Sequence, residues 1–192
     1  MLVTPHGKQD LSPLLISAEG LDERLAYAAG LSKIKISSRE ESDLLMLGMG
    51  AYTPLDGFMG EASWRRCCAE MLTEDNIFWP IPITLSAEDD IASGITIGDD
   101  VALVGADNVI YGIINVREKY KIDKKFECSE VFRTSDPKHP GVEKVLSQGS
   151  TNIAGKVEVL SEGDYPQLYK GLYLKPSETR EIFANNGWST VA

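Results

Sequence analysis

Histidine is nearly absent: His6 and His139 are the only two in 192 residues. A Ser-His-Asp or Cys-His arrangement would have to borrow one of them, and a histidine-rich zinc site has too few donors. Cysteine is scarce too. Cys67, Cys68 and Cys128 cannot all pair internally, and the adjacent two would need a strained ring, so they read as reduced thiols. No apolar run approaches the roughly 20 residues that cross a bilayer. The opening MLVTPHGKQD has no apolar signal core, so we expect a soluble, cytoplasmic protein with no membrane partner. Basic residues are outnumbered, 19 against 29 acidic, and the net charge of -10 repels phosphate backbones and argues against a nucleic-acid partner. The densest basic stretch, Arg117 to Lys125, is broken by Glu118 and Asp123 and reads as a solvated hairpin.

What is present is an ordinary globular balance of 43% hydrophobic, 8% aromatic and 25% charged residues, enough to bury a real core. The length exceeds one domain of roughly 150 residues, so we expect one complete unit plus something extra.

From Glu61 to Leu72 the apolar residues Trp64, Cys67, Cys68, Met71 and Leu72 fall on one helical stripe, placing both thiols against a core as small hydrophobes. An earlier helix is predicted over Asp22 to Ala29, stopping at Gly30, and a short one over Ser42 to Met46. Ile34 and Ile36 alternate with lysines, as in a half-buried strand. Ile77 to Leu85 alternates more fully, but Pro80 and Pro82 remove two ladder donors, which predicts an edge strand or a sharp bend. Further strands are predicted at Val101 to Val104, Val109 to Val116, Lys119 to Ile122, Phe126 to Phe132 and Ile153 to Val159. Such spacing suggests a mainly β fold with peripheral helices, built on a small, closed, mostly antiparallel barrel. After it, Pro176 opens a helix that Asn185-Asn186-Gly187 stops, and Trp188 to Ala192 reads as a strand. That strand either opens an α/β unit or completes the barrel, and pattern alone does not choose.

Candidate chemistry is thin. His6 lies in a polar N-terminal segment, and His139 belongs to a turn that launches a short helix through Val142, Val145 and Leu146. GSTNIAGK, Gly149 to Lys156, resembles a phosphate loop but has five residues between its glycines and Val157 after the lysine, so a turn and strand are expected instead. Gly48-Met49-Gly50 lacks the third glycine of a dinucleotide fingerprint. GAYTPLDGFMG, Gly50 to Gly60, reads as a tight turn held by apolar residues, with Asp56 placed to cap backbone amides rather than to catalyse.

Four separated segments, GAYTPLDGFMG, WPIPITL at Trp79 to Leu85, DPKHPGVEKVLSQG at Asp136 to Gly149 and PSETREIFANNGWSTVA at Pro176 to Ala192, together resemble the N-terminal region of the ATP sulfurylase (sulfate adenylyltransferase) family in its prokaryotic, single-function form. The resemblance covers nearly the whole chain. It implies an α+β architecture: a PUA-like β-barrel domain over residues 1–170, then, over 171–192, the first helix and strand of a truncated α/β nucleotidylyltransferase domain. Members join sulfate to ATP with Mg2+, giving adenosine 5'-phosphosulfate and pyrophosphate. The family's Gln-x-Arg-Asn and His-x-x-His motifs would begin after Ala192 and are absent. The resemblance therefore places no catalytic, substrate-binding or metal-binding residue in this chain. ATP and sulfate would be met through the missing domain, no cofactor is expected here, and the complete enzyme is expected to be a homo-oligomer. Lys175 stands at the helix cap where the family commonly has serine or threonine. The alternative reading is a noncatalytic PUA-like module that binds RNA or another protein.

Overall fold

The computed structural model describes residues 3–8 and 10–190. Eight helices occur among them: α1 (Ala18–Ala29), α2 (Ser38–Gly48), α3 (Glu61–Glu70), α4 (Asp89–Ser93), α5 (Lys124–Phe132), α6 (Pro140–Ser147), α7 (Tyr165–Leu168) and α8 (Pro176–Asn185). The six strands are β1 (Lys33–Lys35), β2 (Gly57–Phe58), β3 (Ser86–Ala87), β4 (Asp100–Val104), β5 (Ile110–Lys121) and β6 (Thr151–Val159). Helix accounts for 37% and strand for 19% of the chain, so the α+β class holds with more helix than strand. The strand order is β1-β4-β5-β6-β2, with β3 also on β6. This sheet is not closed, in contrast to the expected barrel. Its terminal strands are only three and two residues long. None of the described helices is long and apolar enough to cross a membrane.

The chain divides into two compact units. One contains the residues up to Asp56, Ala102–Ile113 and those from Val157 onward; the other contains Gly57–Val101 and Ile114–Lys156.

In the first unit, α1 lays Leu21, Leu25 and Ala28 on a core of Ala102, Val104, Ile113 and Leu160, the i, i+4, i+7 spacing of one helix face. β1 runs parallel to β4 with Ile34 opposite Leu103, and the alternation is as expected: Ile34 is buried while Lys33 and Lys35 are exposed. α2 starts four residues earlier than the hydrophobic pattern indicates, because Ser37 and Glu40 form a capping box. Glu40 Oε2 accepts from Ser37 N at 2.8 Å and Ser37 Oγ from Glu40 N at 3.4 Å. At α8, Lys175 cannot accept an amide bond, yet Glu178 Oε2 accepts from Lys175 N at 2.7 Å. Lys175 Nζ instead donates to Glu162 at 3.1 Å. The helix stops at Asn186 and Gly187 (φ 66°), with Trp188 N donating to Phe183 O at 3.0 Å, a left-handed glycine stop. Residues 188–190 form no strand. The rest of the expected strand, Val191 and Ala192, lies outside the described residues.

In the second unit, α3 buries Trp64 and Cys68 against Tyr120 and Ala154, and α5 and α6 bury Cys128, Val142 and Val145 together. Gly60 offers α3 no side-chain cap; Glu118 Oε2, on β5, accepts from Glu61 N at 3.1 Å. Several strand expectations change here. The stretches at 109–116 and 119–122 fuse into the single β5, whose polar Arg117 and Glu118 lie along the strand rather than in a turn. Arg117 to Lys125 is therefore not a hairpin: it is the end of β5 followed by the start of α5. Phe126 to Phe132 is helical, since Asp123 Oδ1 accepts from Phe126 N at 3.0 Å and caps α5. Residues 77–85 form only the bridge between Leu72 and Phe78, as two prolines without donors require.

Candidate functional site

Three polar clusters and the two histidines are the places where chemistry could reside. The first grows from α2. Arg39 and Asp43 are one turn apart, and Arg39 Nη1 donates to Asp43 Oδ2 at 2.9 Å. Tyr52, in the GAYTPLDGFMG turn, donates its hydroxyl to Asp43 Oδ1 at 3.3 Å. Asp43 is only 6% exposed. Burial pushes its carboxyl up to about 6, against the opposing pull of Arg39 and Tyr52, and burial also raises the Tyr52 phenol to about 12. The cluster ties the loop to the helix. Asp56, in the same loop, is exposed, and its carbonyl accepts from Val157 N at 3.0 Å.

The raised Asp43 carboxyl fixes the sign of a pH effect. A carboxyl that holds its proton more tightly folded than unfolded adds stability as pH falls through about 6 toward its ordinary value of 3.8. Between about pH 7 and about pH 4 the wild type should gain about 2 kcal/mol relative to Asp43→Asn, because each tenfold change in proton affinity is worth about 1.4 kcal/mol. Urea melts of both proteins across that range check it; parallel pH profiles would contradict it.

The second cluster is on the surface of the other unit. Asp89 meets Lys121, Ser150 and Thr151, the last through a 3.0 Å bond from its hydroxyl. The bonds from Lys121 first, then those from the hydroxyls, hold the Asp89 carboxyl down at about 2. Its charge is already spent on these neighbours, so it is placed to tie α4 to β6 rather than to accept a proton near neutrality.

The third cluster is interior. Trp64 Nε1 donates to Glu127 Oε2 at 2.8 Å, Tyr120 donates its hydroxyl to Met59 O at 3.0 Å, and Asn152 Nδ2 donates to Tyr120 Oη at 3.1 Å. Cys67 and Cys68 are 1% and 3% exposed, as the helical stripe predicts. Met71 leaves that stripe, because α3 ends at Glu70 and Met71 turns left-handed at φ 57°. Burial, and next the Glu127 charge, raise both thiols, Cys67 to about 12. The thiolate is the reactive form, so neither cysteine should be labelled by a maleimide on the timescale that modifies both in urea. Prompt stoichiometric labelling of the native protein would contradict the burial.

His139 caps α6: its Nδ1 accepts from Gly141 N at 3.2 Å, and its ring lies 5.1 Å from that of Phe132. His6 is an exposed turn residue. In the GSTNIAGK segment the strand runs from Thr151 onward, preceded by a bend at Ser150. Its amides serve the sheet, Ile153 N donating to Leu85 O at 2.9 Å, instead of converging on a phosphate. Among the described residues no group of three or more His, Cys, Asp or Glu side chains could hold a metal ion. The Arg39 and Asp43 pair is missed because the expected helix begins at Ser42; the i, i+4 spacing exposes it once the Ser37–Glu40 capping box extends the helix back. Trp64 and Glu127, 63 residues apart, carried no local signal.

A family model described as PUA-like domain matches residues 3–162. The chain is 52% identical, over its whole length, to the sulfate adenylyltransferase of Psychrobacter arcticus, of which it covers 47%. It is 49% identical to that of Chlorobium chlorochromatii, covering 48%. It thus spans about half the length of the curated relatives it matches. Among solved structures, the hexameric APS kinase from Thiobacillus denitrificans aligns with a TM-score of 0.73 at 25% identity, over 97% of this chain and 32% of that one. With a family match across most of its residues, the chain belongs to the PUA-like domain family.

Proposed function

We propose that this chain is the N-terminal part of a sulfate adenylyltransferase, the enzyme that makes adenosine 5'-phosphosulfate and pyrophosphate from ATP and sulfate. The observation that carries this reading is identity of about half, over the whole of this chain, to relatives bearing that name. In the reaction a sulfate oxygen attacks the α-phosphorus, a new P–O bond forms to sulfate, and the bond to the β-phosphate oxygen breaks as pyrophosphate departs. Residues 1–170 serve as the supporting domain, and 171–192 begin the catalytic one. Magnesium would accompany ATP in the complete enzyme, where it would offset charge on the phosphate oxygens. We place the enzyme in the cytoplasm as a homo-oligomer; the hexameric name of the aligned APS kinase supports the latter. The test is sulfate-dependent pyrophosphate release by the protein extended to the full length of its relatives. A folded extended protein that releases none with ATP and sulfate would overturn the reading.

A further inference from the structure

Lys175 stands where serine or threonine would serve α8 better. A cation at a helix N-terminus opposes the helix dipole, and lysine cannot accept the amide bonds of the first turn. Its side chain is used elsewhere. Glu162 receives two donors from further along the chain: Tyr173 donates its hydroxyl to Oε1 at 2.8 Å, and Lys175 Nζ donates to Oε2 at 3.1 Å. One carboxylate therefore holds two residues, with a different oxygen for each. The Glu162 side chain is 16% exposed and that of Lys175 35%, so water screens this pair less than an open surface pair. Burial first, and then the bond to Glu162, raise the Tyr173 phenol above its ordinary range, which keeps it a donor.

The grip is passed on to α8. Glu178 Oε2 accepts from Lys175 N at 2.7 Å, and Thr179 N donates to Lys175 O at 3.0 Å. Lys175 is thus joined to Glu162 by its side chain and to the helix by its backbone. The intervening segment 163–172 plays a different part. Its backbone bonds are local, Leu168 N donating to Asp164 O at 2.9 Å and Leu172 N to Tyr169 O at 2.8 Å. Residues 167–172 are exposed, and Gly171 (φ +83°) has open space around a Cβ. A path of that kind does not fix where α8 begins, whereas the two bonds to Glu162 do. Further along the helix, Arg180 donates to the Val3 carbonyl. Glu162 is also the last residue of the PUA-like match, so the clamp spans the junction between the supporting residues and those assigned to the catalytic part.

We propose that Glu162 is a positioning residue: it grips Tyr173 and Lys175 so that α8 leaves the supporting domain in one orientation and aims the chain beyond it for adenylyl transfer. This rests on the function proposed above. The test uses Lys175→Ser, which supplies an ordinary cap while removing one arm of the clamp, and Tyr173→Phe, which removes the other. Residual dipolar couplings of the isotopically labelled chain report orientation. In the wild type α1 and α8, which belong to the same compact unit, should fit one alignment. In the double variant the α8 couplings should shrink while its helical chemical shifts persist. In the protein extended to the length of its relatives, Lys175→Ser should lower kcat for sulfate-dependent pyrophosphate release by about tenfold, because small misplacements of reacting groups are costly. KM and the melting temperature should hold, and Lys175→Arg, which keeps the ion pair, should retain the rate. A lysine with a purely structural role would leave kcat unchanged in Lys175→Ser, where the cap is improved. The proposal fails if the α8 couplings are unaltered in the double variant, or if Lys175→Ser turns over at the wild-type rate in an active extended protein. An extended wild type that releases no pyrophosphate would overturn the adenylyltransferase reading alone, and the couplings then decide the clamp.

Discussion

The purified 192-residue chain, given ATP, sulfate and magnesium, is expected to release pyrophosphate no faster than the uncatalysed reaction. Adenylyl transfer needs oriented cations and donors that stabilise charge on the phosphoryl oxygens and on departing pyrophosphate, with a weakly nucleophilic sulfate held in line. Several cationic side chains are committed elsewhere: Arg39 to Asp43, Arg66 to Glu70, Lys121 to Asp89, and Lys175 to Glu162. The sequence also contains no Gln-x-Arg-Asn or His-x-x-His. Losing one positioned donor typically costs about 10² to 10³ in rate, so the absence of both motifs is expected to remove turnover. A coupled pyrophosphate assay on this chain beside the extended protein measures it. Comparable sulfate-dependent turnover by both would move the active site into these residues.

The second large effect is on folding. Gly155→Ala should destabilise the protein by about 3 kcal/mol or more, a large part of the roughly 5–15 kcal/mol that holds a domain together. A Cβ at Gly155 would overlap the carbonyl oxygen of Asn115 on β5, with Arg117 N only 3.2 Å away. These are backbone atoms of a neighbouring strand and cannot rotate aside, so β5 and β6 would have to part. On the other side, a Cβ at Gly57 would overlap the carbonyl oxygen of Gly155, so β2 approaches just as closely. Gly171→Ala is the control. Gly171 has φ +83° with nothing within 4 Å of a Cβ, so only backbone strain of about 1 kcal/mol is expected. Urea denaturation of the two variants should separate them clearly; equal midpoints would show that the sheet can relax around a methyl group.

The elements legible from the sequence are those in which local and tertiary forces agree. β1 follows from lysines alternating with isoleucine, and the Trp64, Cys67, Cys68 stripe from helical spacing. The open sheet does not follow, because Pro80 and Pro82 deny the stretch around them its ladder bonds, and the outcome depends on which neighbours are present to pair. α5 is hidden from the apolar pattern because Asp123 sets its start, and a cap outweighs a short apolar run. β5 looks like two strands because Arg117 and Glu118 resemble turn residues, whereas Tyr120, beyond them, is buried again. For the polar clusters, the Arg39–Asp43 pair stays hidden until the Ser37–Glu40 capping box is recognised, because a helix begun at Ser42 leaves Arg39 outside it. The contact between Trp64 and Glu127 is made only by packing.

β1 has a further consequence. It ends the path of the sheet, pairing only with β4, and is three residues long with exposed lysines at both ends. A foreign strand approaching this rim would find a short run of open backbone flanked by two ammonium groups, and a second copy would bring lysine against lysine. Sheet rims of this kind resist growth into fibrils. The same Lys-Ile-Lys pattern that marks the strand in the sequence therefore also guards the protein against templated aggregation.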